Sequence, residues 1–103
     1  MSVGETPPVE VSAEQRASLI TYPSAIAVKA MGLDDDAQPG FRALVESLVL
    51  PLIEPDRASR IDERVSSGGK YLSVSVHFTV TSRGQLEAIY SALHAEPRVL
   101  FTL

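Results

Sequence analysis

Apolar and polar side chains alternate without a break between residues 71 and 80. Leu72, Val74, Val76, Phe78 and Val80 fall on one side, and Tyr71, Ser73, Ser75, His77 and Thr79 on the other. A period of two belongs to a β-strand with one face in a core and one face free of it. Burying those five apolar side chains contributes roughly 1.5–3 kcal/mol each before chain-ordering costs are subtracted. A weaker alternation runs from Ser24 to Met31, where Ile26, Val28 and Ala30 oppose Ala27, Lys29 and Met31. It predicts a second strand that Gly32 ends.

Two stretches carry the helical period instead. Phe41, Leu44, Val45, Leu48, Val49, Leu52 and Ile53 are spaced 3, 1, 3, 1, 3, 1, which traces one apolar stripe, with Arg42, Glu46 and Ser47 on the opposite side. Pro39 stands where a first helical residue is expected, and Pro51 should kink or end the helix near Leu50. Leu86, Ile89, Tyr90 and Leu93 make a second stripe, opened by a Ser82-x-x-Gln85 capping box and stopped by Pro97.

Residues 57–66 fit two readings. Ile61 and Val65 are four apart, as on a short helix. The Ser67-Gly68-Gly69 hairpin signal before the strand at 71–80 favours a strand, with Ser59, Ile61, Glu63 and Val65 on one side and charges suited to a sheet edge. Arg98–Leu103 reads as a last strand. Ahead of all this, residues 1–11 read as a flexible tail, and Ser12 as the cap of a short helix over 13–20 that Pro23 stops.

The order strand, helix, strand, strand, helix, strand places both helical stripes on the single apolar sheet face. Right-handed crossovers then favour an α+β, ferredoxin-like two-layer sandwich: βαββαβ, with a four-stranded antiparallel sheet and two helices on one face. It forms one domain over residues 12–103. Strands one and three are central. The last strand becomes an edge, with Val99, Phe101 and Leu103 expected toward the helices and Leu100 outward. Val99, Leu100 and Phe101 are therefore a candidate dimer edge. The cover for that edge is either the segment with Leu19, Ile20 and Tyr22 or a second copy of the chain.

Several stretches resemble the YbeD-like family of small bacterial proteins of unknown function. They are LITYP at 19–23, KAMG at 29–32, Pro39, and above all SSGGKYLSVSV at 66–76. The resemblance runs over about residues 13–103. It implies a ferredoxin-like fold similar to ACT regulatory domains, which bind small ligands and pair side by side, and it supplies no active site. The Asp34-Asp35-Asp36 run and the longer N-terminal extension depart from the family pattern.

Composition narrows the chemistry. The 103 residues include no cysteine, which removes disulfides, zinc-thiolate sites and cysteine nucleophiles. Nine Lys and Arg against 13 Asp and Glu give a net charge of −4, which counts against a nucleic-acid partner. No apolar run reaches the roughly 20 residues of a membrane span, and no signal peptide is evident, so a cytoplasmic location is expected. Asp34–Asp36 lack the alternating ligands, glycine turn and distal glutamate of a calcium loop. Gly68-Gly69-Lys70 leads into a strand, not into the helix that a phosphate loop requires. Ser75 and His77 lie about 7 Å apart along a strand, too far for a nucleophile–base pair.

No metal, cofactor or catalytic set is therefore expected. What the free face offers is a mildly polar plane of Lys29, Tyr71, Ser73, Ser75 and His77, a candidate interaction face. The expected function is a non-enzymatic regulatory module that takes a protein partner or small-molecule effector. The alternative is a single-stranded RNA binder on the same face, for which Tyr71 supplies little aromatic surface.

Overall fold

The computed structural model describes residues 20–103; the tail and the helix expected over 13–20 lie outside that range, apart from Ile20. Its strands are β1 (Ser24–Leu33), β2 (Ala58–Val65), β3 (Tyr71–Val80) and β4 (Phe101–Thr102), and its helices are α1 (Phe41–Val49) and α2 (Arg83–His94). The antiparallel sheet has the order β2-β3-β1-β4. Strands one and three are thus central and the charged strand is an edge, as the α+β, ferredoxin-like reading requires. The ambiguity at 57–66 resolves as strand.

The strict alternation of β3 is realised in full. Leu72, Val74, Val76, Phe78 and Val80 are all buried, while the five residues between them are half-buried. Opposite them in β1, Val28 and Ala30 are buried. Phe41, Leu44, Val45 and Val49 of α1 and Leu86, Ile89, Tyr90 and Leu93 of α2 join the same cluster, so both helices cover one face. The other face carries no described helix.

Proline chemistry shapes both ends of α1, at Pro39 differently from expectation and at Pro51 as expected. The helix begins at Phe41 with Gly40 as its N-cap, so Pro39 precedes it rather than occupying its first turn. At the other end Pro51 stands in a 3-10 turn over Leu50–Leu52, where an α-helical hydrogen bond would be lost. The tighter turn rotates the stripe. Ile53 stays buried, but Leu52 comes to the surface.

Gln85 ties this turn to α2. Ser82 Oγ accepts from the Gln85 backbone N–H at 3.1 Å, one half of the expected capping box. The other half is displaced by one residue: Gln85 Oε1 accepts from Thr81 N–H at 2.8 Å. Gln85 Nε2 then donates to the Leu52 carbonyl at 2.9 Å.

Gly32 does not end β1. It lies within the strand opposite Leu72, and Leu33 still pairs with Tyr71. Its role is close approach: a Cβ there would overlap the Phe41 ring and sit 2.6 Å from the Arg98 carbonyl oxygen. The ring edge can shift, but the Arg98 oxygen belongs to the backbone and gives way less readily.

β4 departs most from expectation. Its ladder with β1 is only two residues long, pairing Ala30 with Thr102 and Met31 with Phe101. Val99 is spent in a turn, its N–H donating to the Glu96 carbonyl, and packs against the core before the strand begins. Leu100 N–H donates to Met31 O, out of step with the regular ladder that joins Lys29 to Leu103. The inward position therefore passes to Thr102, whose Oγ1 lies 2.9 Å from His94 Nε2 of α2. Phe101 and Leu103 fall on the open face, not against the helices. Of the proposed covering segment, Ile20 and Tyr22 pack against the core cluster, and Leu19 lies outside the described residues.

A Val76→Asp variant places an unpaired carboxylate at a position with no exposure, in the middle of the central pair. It should lose the cooperative thermal transition seen by circular dichroism, whereas Ser75→Ala, one residue away on the open face, should stay within about 0.5 kcal/mol of the parent.

Candidate interaction face

The open face is built row by row from strand register. Ala27 lies opposite His77, Lys29 opposite Ser75, Met31 opposite Ser73 and Leu33 opposite Tyr71. β2 extends the rows on the other side of β3: Arg60 beside His77, Asp62 beside Ser75 and Arg64 beside Ser73. β4 closes the far side with Phe101 beside Met31. All five candidate face residues, Lys29, Tyr71, Ser73, Ser75 and His77, are thus brought onto one surface.

Arg60, Asp62 and Arg64 are neighbours of the candidate residues that sequence reasoning did not select. Their placement depends on an extra residue in β2 between Ala58 and Arg60. The bulge puts Ala58 and Ile61 on the helix side although they are three positions apart. Ser59, expected beside Ile61, is displaced by it. The available signal was Ile61: once this side chain turns to the core, Asp62 and Arg60 must turn away.

Charges on the face are unevenly satisfied. Asp62 Oδ2 accepts from Arg60 Nε at 3.0 Å and from His77 Nε2 at 2.9 Å. The Arg60 hydrogen bond holds the Asp62 carboxyl below the usual carboxylate range, with His77 adding to the effect and desolvation opposing it. On the helix side, Glu63 accepts from Arg42 Nη1 at 2.8 Å, and Arg42 Nε also reaches Glu46 at 3.1 Å. These hydrogen bonds raise the Arg42 pKa and strap α1 to the edge strand. Lys29 and Arg64 are different. Among the described residues neither has an acidic partner within 4.0 Å.

Between them lies a depression of about 750 Å³, lined by Lys29, Met31, Asp62, Arg64, Ser73 and Ser75 with adjoining residues of β2 and its turn. No group of three or more His, Cys, Asp or Glu side chains is placed to hold a metal ion among the described residues. His77 is held by Asp62, and Ser75 lies two residues along the strand, about 7 Å away. An orienting acid and an imidazole are present, but among the described residues the ring's hydrogen bond goes to Asp62 and none joins it to Ser75.

Val99, Leu100 and Phe101 do not form one surface. Val99 is half-buried against the core. Leu100, 56% exposed, and Phe101, 39% exposed, join Leu103 in an apolar margin beside the open face.

Comparison with known proteins places this architecture. The family model described as Protein of unknown function (DUF493) matches residues 17–103. The chain belongs to this family. A UPF0250 protein of Ralstonia nicotianae is 42% identical over 89 residues, covering 85% of this chain and 88% of the relative. A UPF0250 protein of Janthinobacterium is 40% identical over 86 residues, covering 84% and 91%. The resemblance to the YbeD-like group of uncharacterised bacterial proteins therefore holds. The solution structure of protein HP0495 from H. pylori superposes with a TM-score of 0.61 at 16% identity, covering all of this chain and 94% of that one, which supports the shared fold. No described helix is long and apolar enough to cross a membrane.

Because its folded-state pKa is lowered, Asp62 contributes stability above its unfolded pKa and loses it as pH falls through the depressed folded value. Carboxyl-carbon NMR should find Asp62 titrating below the usual carboxylate range. An Arg60→Gln change should bring it upward; an unchanged titration would show that Arg60 does not hold it.

Proposed function

We propose that the chain is a non-enzymatic regulatory module that binds a small-molecule effector on the open face of its sheet, in the manner of an ACT-type domain. One observation carries this reading: two cations without acidic partners, Lys29 and Arg64, border a depression floored by Ser73 and Ser75. The core and the ion pairs elsewhere account for the remaining charged residues of β2.

A thermal-shift screen of small metabolites against the full chain tests the reading, since a ligand that binds only the folded state raises the melting temperature. At least one compound should raise it, and the rise should vanish in Ser75→Trp, which fills the depression, and survive in Ser75→Ala. Rises that persist in Ser75→Trp would move the site elsewhere. Binding of mixed oligonucleotides at low salt, weakening as salt rises, would favour the RNA-binding alternative; the net charge of −4 argues against it.

We further propose that the apolar margin of Leu100, Phe101 and Leu103 seats a second copy, so that the module pairs edge to edge. Sedimentation equilibrium should find a dimer for the parent and a monomer for Leu100→Lys. A monomeric parent at high concentration overturns the pairing.

A further inference from the structure

Acidic groups near the depression are already committed. Asp62 holds Arg60 and His77, and Glu63 holds Arg42 from the other side of the sheet. The residual charge facing the depression is therefore positive, on a chain whose net charge is −4. Lys29 and Arg64 sit on the two strands that flank β3, one opposite Ser75 and the other opposite Ser73. Their Cα atoms are roughly 12 Å apart, from the usual strand spacing and rise. Both side chains are long enough to converge over the two serine hydroxyls.

We propose that this depression is a subsite for the phosphate group of a small phosphomonoester whose apolar part lies along Met31. The inference rests on the open-face reading above and names its ligand class. An ammonium, a guanidinium fork and two hydroxyls supply more donors than a carboxylate's two oxygens use well, and they suit a dianion with three terminal oxygens. Met31 occupies the next position in the row beside Ser73 and lines the depression, so an apolar substituent has a surface to rest on.

The test is titration of the ¹⁵N-labelled full chain, followed by amide shifts. The probes are inorganic phosphate, phenyl phosphate, phenylacetate and a mixed-sequence oligonucleotide. Phenyl phosphate should give saturable shifts at Lys29, Arg64, Ser73 and Ser75, with tighter binding than inorganic phosphate. Lys29→Met and Arg64→Gln should each weaken it about tenfold while leaving the rest of the spectrum in place, and the double variant should abolish it. Phenylacetate binding as tightly as phenyl phosphate would overturn the phosphate assignment. So would shifts that fail to saturate, or that scatter over basic residues elsewhere. Tighter binding of the oligonucleotide would replace it with a nucleic-acid site. If metabolites still lose their thermal shift in Ser75→Trp while phenyl phosphate fails to bind, the open-face reading stands and only the ligand class falls.

Discussion

Everything in this fold depends on the antiparallel pairing of β1 with β3. These strands are in register over ten residue pairs, from Ser24 with Val80 to Leu33 with Tyr71. Because side chains alternate, that single register assigns each residue of both strands to a face. Val28 meets Val76 and Ala30 meets Val74 beneath the helices, while Lys29 meets Ser75 and Met31 meets Ser73 on the other side. A slip of one residue would bury Lys29 and expose Val28. The hydrophobic core and the candidate binding face are thus two results of one constraint, and neither can move without the other.

The remaining elements are fitted to this pair with less certainty from local chemistry. β2 contributes one half-buried apolar residue, Ile61, to the core and is otherwise exposed. It is secured largely by its ladder to β3 and by Arg42, which reaches from α1 to Glu63 and to the Ile61 carbonyl. Such exposed ion pairs add little stability individually. Here they help fix which side of β2 faces α1, and with it the placement of Asp62 and Arg64 on the opposite face. β4 is held by a few backbone hydrogen bonds to Lys29 and Met31 and by the side-chain contact between Thr102 and His94.

Legibility of the sequence follows the same gradient. The face assignment of β3 was plain because five apolar residues in strict alternation admit one period. The α2 stripe and its Ser82 cap were plain for the same reason. α1 was legible in its body and in its stop near Leu50; it was misread at its start, where Gly40 rather than Pro39 leads into the helix, and at Leu52, which the turn at Pro51 rotates outward. The parity of β4 was not legible. Two paired residues carry no period, and the contacts that set it, at Met31 and His94, are distant in sequence. The candidate face was half legible: β3 and β1 supplied their residues by alternation, but Arg60, Asp62 and Arg64 required the register of an edge strand with a bulge.

That division separates two kinds of information. A residue buried by periodicity is specified locally, because its neighbours two or four positions away repeat the signal. A residue on the open face is specified by its partners across the sheet, and the sequence near it need not say which charges those will be. Ser75 shows the consequence. Along the chain it is one small polar residue among several. Across the sheet it lies between Asp62, whose charge is held by Arg60 and His77, and Lys29, whose charge is held by no described acid. The asymmetry between those two neighbours gives the face its polarity, and it exists only once three strands have been set side by side.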